Sequence, residues 1–501
     1  MWIENFKPIK MKKILFLFVC AISATTIAAI TATTATAQGD IDAAGIRALQ
    51  TKTLEECVQY AADHNIQLKQ ANLSLRQADL QAWSARSAVL PTASGTFQPA
   101  VNFGRSVDPT TNTFASQTIF SNQYSVSAGA TLYAGGTIKN SIIQSSVDVL
   151  AAKADQANSL NTLALNVATV YLQVLLTEEN LKITNERLAQ TTRQLSNINK
   201  LIASGSLPAG NKLDVEAQQA RDEQSIVQAE NAIALAYLNL KTLMNYPPNE
   251  PLKVVQPDIN IPTENIDNIT VEGLYKTALD KQPQVQAAEL RRKSAEIAVA
   301  VAKGRSLPTV QAFGSLRTNY SSLAKQVKDF GTQNTYFGDV NFGGTTFPLV
   351  VTQPRPNLEN TPYFKQIDEN FSQAVGVSVN VPIYQANQTR IGVERAKLLV
   401  ENTDLQAEQV RRQLNNDIAT ALTNAKAAQR TYLAAEKTEK ALSLAFANAE
   451  KRFAAGMSNS FELTTTRSNL DAAKVNVLTA KYDYLFRVKV LDFYKGIAIK
   501  L

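Results

Sequence analysis

Histidine is nearly missing from this chain: His64 is the single one in 501 residues. Cysteine is almost as scarce, with Cys20 and Cys57 alone. A zinc site of the His/Cys type needs several such ligands, and a Ser-His-Asp triad needs a histidine beside its nucleophile. Neither can be built from His64 and Cys57. No Gly-rich phosphate loop occurs, so nothing in the sequence carries enzyme chemistry and no cofactor is implied. Methionine is limited to four residues, with no Met or His cluster, which weighs against metal export. Concentrated basic patches are absent as well, and the net charge of +7 gives no warrant for nucleic-acid binding.

Long apolar runs are lacking beyond the N-terminus. Met11-Lys12-Lys13 opens a stretch, Ile14 to Ile30, that is apolar but diluted with Ala, Ser and Thr. Ala35-Thr36-Ala37 then forms a small-x-small cleavage site before Gln38. Residues 1–37 therefore read as an export signal, with Met11 an alternative start. A spanning helix fits less well, because no charged stop-transfer flank follows. Lipidation at Cys20 fits poorly with Phe18 and Val19 before it. Removing the signal takes away Lys7, Lys10, Lys12, Lys13 and Glu4 and leaves 46 basic and 42 acidic residues. Cys57 is then alone, so no intramolecular disulfide is expected. No later run of about 18 purely apolar residues occurs, so a membrane would have to be crossed by β-strands.

What is present is a duplication. At a shift of 217, Thr53-Leu54-Glu55 matches Thr270-Val271-Glu272, Ala61 matches Ala278, and Leu90-Pro91-Thr92 matches Leu307-Pro308-Thr309. At a shift of 251, Leu132-Tyr133 matches Ile383-Tyr384 and Gly205 matches Gly456. The difference places an insertion between Tyr320 and Phe371. The expected organisation is a first repeat over 38–245, a Pro- and Asn-rich linker over 246–269, and a second repeat over 270–501 with a long outer loop at about 321–370. Each repeat reads helix, strand, loop, strand, long helix, turn, helix.

Ile138 to Ala203 and Val393 to Ala455 contain neither Pro nor Gly. At 1.5 Å per residue, about 65 residues make a rod of roughly 100 Å. Leu163, Val167, Val170, Val174, Thr177, Leu181, Thr184, Leu188, Thr191, Leu195, Ile198 and Ile202 recur at alternating spacings of four and three. The same register, shifted by 251, runs from Leu414 to Phe453, mostly as Ala with one Glu439. This is a coiled-coil seam. A simple two-stranded coiled coil would also satisfy it, although the alanines bury little area and call for more neighbours. Helices returning over about 213–243 and 461–494 make two long hairpins.

Val375, Val377, Val379, Val381 and Ile383 alternate with small or polar residues, as do Tyr124, Val126, Ala128, Ala130 and Leu132. Fainter strands fall at about 93–103 and 309–320. A soluble half-buried sheet alternates in the same way. Here the off-face residues are small and uncharged, and the segments have the length of tilted membrane strands. Four strands cannot close a barrel, and an open edge cannot sit in lipid. Three protomers would supply twelve strands and six long helices.

On these residues the chain resembles the TolC-like outer-membrane efflux family. The resemblance rests on Thr53-Leu54-Glu55-Glu56 with Ala61 to Asn65, Leu90-Pro91, Leu132-Tyr133-Ala134-Gly135-Gly136, Val381-Pro382-Ile383-Tyr384 and Arg452-Phe453-Ala454-Ala455-Gly456. It implies a mixed α and β membrane protein. A homotrimer would form a 12-stranded outer-membrane β-barrel, four strands per protomer, continuous with a 12-helix periplasmic α-barrel of coiled-coil hairpins. It implies a periplasmic adaptor and an inner-membrane transporter as partners, outer-membrane lipid around the barrel, and drug or small-molecule efflux. Type I protein secretion is the alternative within the family, and a structural coiled-coil envelope protein the alternative outside it.

The resemblance also implies a gate. Two family carboxylates that line the constriction correspond to Glu462 and Thr465, so one carboxylate per protomer remains. A family latch corresponds to Asp214, with Phe453 and Ser458 in place of its tyrosine and arginine partners, which implies apolar or looser closure. Gly205, Leu207, Pro208, Gly456 and Met457 would form the hairpin tips that meet the adaptor. The 321–370 loop is expected to cap the outer mouth or to be a plain surface loop. Cys57 and His64 are expected to pack near the start of the first helix.

Overall fold

The computed structural model describes residues 50–107, 112, 114–116, 118–206, 208–257 and 266–497. The expected signal, Cys20 and Leu207 lie outside the described residues. The first half runs β1 (Gln50–Lys52), α1 (Leu54–His64), α2 (Ile66–Ser87), β2 (Thr92–Asn102), β3 (Arg105–Val107), β4 (Phe114–Ser116), β5 (Ile119–Ala134), α3 (Thr137–Ala203) and α4 (Gly210–Met244). β6 (Leu252–Val254) and a 3-10 turn at Ile266–Asn268 follow. The second half runs α5 (Val271–Lys281), α6 (Pro283–Gly304), β7 (Thr309–Ser321), β8 (Lys325–Phe342), β9 (Thr345–Asn360), α7 (Tyr363–Glu369), β10 (Ser372–Asn380), α8 (Gln388–Ala454) and α9 (Ser460–Tyr494). Helices of 11, 22, 67 and 35 residues recur in the same order in both halves.

Local chemistry sets the boundaries. Thr53 closes a capping box: its hydroxyl accepts from Glu56 N at 3.2 Å and the Glu56 carboxylate accepts from Thr53 N at 2.8 Å. The single helix expected after Thr53 is two helices. Asn65 Oδ1 accepts from Gln67 N and Leu68 N, which ends α1 and starts α2. Gln282 and Pro283 make the equivalent break in the second half. α8 begins before the expected Val393 and takes Gly392 inside it, where open space surrounds the missing side chain.

Every seam position of α3 and of α8 is buried or half-buried. The threonines fit because their hydroxyls bond back to their own helix, as Thr184 does to Asn180 O at 3.1 Å. α3 packs against α2, α4, α6 and α9, and α8 against α6 and α9. This is a bundle of hairpins rather than a two-stranded coiled coil. α3 contains no purely apolar run of that length, although one window in it is apolar enough on average to cross a membrane by length and composition. At about 100 Å the helix is some three times a bilayer core, and its apolar residues are those of the packed seam.

Two cores form where the short helices α1 and α5 pack onto the long ones. The first gathers Leu54, Cys57, Tyr171, Leu240 and Met244, and the second Leu274, Leu414, Ile418 and Leu491. The expected linker contributes to the first: β6 pairs in parallel with β1, and the Tyr171 hydroxyl donates to Val255 O at 2.6 Å. Cys57 is fully buried there, whereas His64 is exposed at the far end of α1, stacked on Tyr60 at 4.0 Å.

The four long strands form one antiparallel sheet in the order β10-β7-β5-β2, so β10 and β2 each have a free edge. Register puts Val375, Gly314 and Ala128 in one row, Val377, Ala312 and Ala130 in the next, and Val379, Val310 and Tyr133 after them. Val375, Val377 and Val379 are 92, 61 and 60 % exposed, so these rows of the apolar face are uncovered. Two details differ from the sequence expectation. A bulge between Thr131 and Tyr133 takes Leu132 out of the alternation and puts Tyr133 on the apolar side. β10 ends at Asn380, so Val381 and Ile383 lie beyond it, next to Pro382, which cannot donate to a ladder.

The segment expected as an outer loop is largely a β-hairpin, β8 with β9, turning at Gly343-Gly344. Its prolines hid it. Pro348, Pro354 and Pro356 are tolerated because a two-stranded ribbon leaves one side of each strand free. α7 follows and lies on the apolar face of the sheet: Tyr363 Oη meets Tyr124 Oη at 2.6 Å and the Thr318 hydroxyl donates to Ile367 O at 2.7 Å. The end of this segment is thus seated on the apolar side of the sheet.

Burial pushes the Cys57 thiol up to about 12, so at pH 8 it stays protonated, and the thiolate is the reactive form. The folded protein should resist maleimide at pH 8 and label readily once unfolded, with mass spectrometry as the readout.

Candidate gate and lumen face

The second face of the sheet is polar. Its rows read Asn319-Gln123-Gln98, then Ser372-Arg317-Ser125-Thr96, then Ala374-Ser315-Ser127-Ser94. Alternation within the strands separates this hydroxyl- and amide-rich face from the apolar one. The sheet passes into the long helices through a tight junction. Gly135 has φ +60°, and a Cβ there would overlap the Gly304 carbonyl, so the strand-to-helix turn requires the glycine.

At the far end, both hairpin tips use the same cap. Gly205 (φ +75°) donates to Ile202 O and Ser206 N to Leu201 O; Gly456 (φ +72°) donates to Phe453 O and Met457 N to Arg452 O. This is the Schellman pattern, which consumes the last helix carbonyls. Pro208 and Met457 are exposed. On the return, Asn459 Oδ1 accepts from Glu462 N at 2.8 Å and starts α9.

Glu462 does not stand alone. Its carboxylate accepts from Arg452 Nη1 at 2.8 Å, across the tip of the same hairpin. Both groups are partly exposed, so the pair contributes no more than about 1 kcal/mol. It does cancel the charge: three such pairs would make a ring of no net charge. Thr465 is exposed one turn later. Phe453 and Ser458 are half-buried, and the Ser458 hydroxyl faces Asn459 O at 3.4 Å. Asp214 is exposed just after the first turn of α4, beside buried Val215.

The polar connection between the two hairpins lies farther from the tips. Asp222 of α4 is fully buried. It accepts from the Thr191 hydroxyl at 2.5 Å and from Gln218 Nε2 at 2.8 Å. Arg187 Nε sits 2.9 Å from it, angled for an ion contact rather than a hydrogen bond. Arg467 of α9 reaches into the same place, donating to Arg187 O at 2.7 Å and to Gln194 Oε1 at 3.2 Å, with Asp471 at 3.7 Å. Two arginines and two aspartates thus balance at the junction of α3, α4 and α9. Burial pushes the Asp471 carboxyl up, with Arg467 and Arg187 opposing the shift. Burial also pushes the Arg467 guanidinium down, countered by Asp471 and Asp222. Beyond this cluster α3, α8 and α9 leave an open groove of about 750 Å³, walled in part by Ala434, Ala435, Ala473 and Ala480.

The sequence profile of the outer membrane efflux protein family matches residues 57–246 and 274–496. The chain belongs to this family. As an outer membrane efflux protein it resides in the outer membrane, with its helical part extending into the periplasm. No curated protein sequence matches it. Its fold is that of several solved structures. VceC of Vibrio cholerae shares 15 % identity at a TM-score of 0.69, covering 89 % of this chain and 96 % of that one. CusC, described by its conformational changes on folding and transmembrane channel formation, shares 14 % at 0.69, covering 90 % and 93 %. The MtrE channel of Neisseria gonorrhoeae, in an open state, shares 18 % at 0.63, covering 89 % of each.

In this efflux protein Arg187, Asp222, Arg467 and Asp471 tie the hairpins together at the junction of α3, α4 and α9. Their signal in the sequence is faint: a charge every few positions on a long helix is ordinary, and which ones turn inward depends on packing. Asp222→Ala would leave buried Arg467 and half-buried Arg187 short of a counter-charge; breaking a buried pair costs about 3–5 kcal/mol, and the partial exposure of Arg187 puts the loss at the low end. The expected result is faster proteolysis at the 204–209 turn. Asp471→Asn should behave oppositely. An acid whose folded pKa is raised binds its proton more tightly in the folded state, so stability through this group is gained as pH falls through that raised pKa toward the unfolded value of about 3.9. The amide should hold the hairpins at neutral pH at least as well as the wild type and should flatten that pH dependence, read by the same proteolysis between pH 7 and about pH 4.

Proposed function

We propose that three copies of the chain form the exit duct of a tripartite export system. The carrying observation is the four-stranded sheet with two free edges and uncovered apolar rows on one face. In lipid, each unpaired backbone N–H and C=O at those edges costs several kcal/mol. Joining β10 of one protomer to β2 of the next removes every edge, and three protomers give a barrel of twelve strands. The apolar rows of Val375, Val377 and Val379 then face lipid and the hydroxyl-rich rows face the lumen. The two hairpins of each protomer together make a wall of twelve helices, about 100 Å long.

The duct itself is passive. An inner-membrane transporter drives cargo through a periplasmic adaptor, which meets the tips at Gly205, Leu207, Pro208, Gly456 and Met457. Drugs and other small molecules are the cargo. Glu462, Thr465, Asp214, Phe453 and Ser458 lie at the constriction, and the buried Arg187–Asp222–Arg467–Asp471 cluster holds the hairpins in the narrow arrangement. Opening then means sliding α9 away from α3 and α4 at that cluster.

The test is conductance of the purified mature trimer in a planar bilayer, wild type beside Glu462→Ala. A small steady conductance is expected from the wild type. The variant frees Arg452, so a larger conductance with a shift toward anions is expected. An unchanged conductance would remove Glu462 from the gate, and no conductance from a proven trimer with Asp222→Ala as well would sink the duct.

A further inference from the structure

Charge is almost absent from the barrel wall. The four strands of the sheet hold 11, 16, 13 and 9 residues, and among them Arg317 is the single charged one. Its place is well defined. Arg317 pairs with Ser125 on one side and Ser372 on the other, and Ser125 pairs in turn with Thr96. It therefore belongs to the polar face, and it is exposed. The rows on either side of it offer only Ser, Thr, Asn, Gln and Ala side chains. Farther toward the helices the same face carries Phe313, whose ring crosses Gly376; a Cβ at Gly376 would come within 2.7 Å of it.

No carboxylate of the sheet can neutralise Arg317. Asp368 and Glu369 belong to α7, which covers the opposite face of β7, and Glu369 faces Lys365 there. On the β8–β9 hairpin, Asp329 accepts from Asn357, Glu359 accepts from Gln326 and Asp339 bonds Tyr336. The tip carboxylate Glu462 is cancelled by Arg452. A guanidinium cannot shed its charge at any physiological pH, so an arginine facing the lumen is a permanent feature of the wall.

We infer that Arg317, one from each protomer, forms a ring of positive charge in the barrel lumen that favours anionic over cationic cargo; this rests on the trimeric duct reading. A ring of like charges in a pore selects the opposite sign. Three guanidiniums spaced around a lumen act through solvent, so their reach is the Debye length, about 30 Å at 10 mM salt and about 3 Å at 1 M. The preference is therefore a low-salt property. It also acts on cargo that carries carboxylate or phosphate, which the planar guanidinium can bind through two hydrogen bonds.

The experiment is the reversal potential of conducting trimers under a KCl gradient, with trimer assembly checked by native mass spectrometry for each variant. In gradients centred near about 10 mM, the wild type should favour chloride by a ratio a few-fold above that of Arg317→Gln. Arg317→Lys should keep the preference, which separates charge from any effect on folding, and Arg317→Glu should turn it toward potassium. All four should converge near about 1 M salt. Conducting trimers in which R317Q and R317E leave the low-salt reversal potential unchanged would overturn the inference while leaving the duct standing. Trimers that conduct in no variant, with the tip loosened by Asp222→Ala, would sink the duct and the ring together.

Discussion

The free edges of the four-stranded sheet are the constraint on which the rest depends. Water can satisfy an unpaired strand edge, but lipid cannot. A chain that carries four membrane-length strands with apolar rows on one face cannot settle as a monomer in a bilayer. In the proposed duct copies of the chain close the edges, and the number of copies sets how many long helices meet below the sheet. The helices show the same dependence. α3 finds neighbours on several sides within the chain, while α2 packs along α3 and leaves Ile66, Leu73, Leu80 and Trp83 exposed. One protomer is an incomplete solution to its own hydrophobic pattern.

Duplication supplies the economy of the design. Two copies of one plan, with matching helix lengths, place two tips of the same cap type at one end and two pairs of strands at the other. Divergence then separates their tasks. The first long helix has a seam of Leu, Val, Ile and Thr and builds the larger core. The second has an alanine-rich seam, which lets α9 come close and leaves a groove beside α3. The insertion in the second copy became a two-stranded ribbon and the short α7.

Charge is placed sparingly and each placement has a physical sense. On the exposed tips, Glu462 and Arg452 form a pair that contributes little to stability. At the buried junction of the hairpins, four ionised groups balance within a few ångströms, where removing the fully buried Asp222 would leave arginine charge stranded. In the wall of the sheet a single arginine stands without a counter-ion among the strands. These three settings differ in solvent exposure, and exposure decides whether a charge acts as a weak clasp, a lock or a source of field.

Much of this was legible in the sequence because it is written as periodicity. The 3.5-residue seam, the period-two strands, the glycine-capped tips and the shifts of 217 and 251 are local or additive signals, and the structure carries each as an element with nearly the expected bounds. The break at Asn65, the bulge at Leu132 and the β8–β9 ribbon were not legible, because a single capping side chain, a register shift and strand prolines each look like something else in one dimension. The inward turn of Arg187, Asp222, Arg467 and Asp471 was decided by tertiary structure alone. Their spacing resembles that of any solvated helix face, and only the approach of α9 to α3 and α4 removes the water. The pairing of Glu462 with Arg452 has the same origin: ten residues separate them along the chain, and the tip turn brings them together.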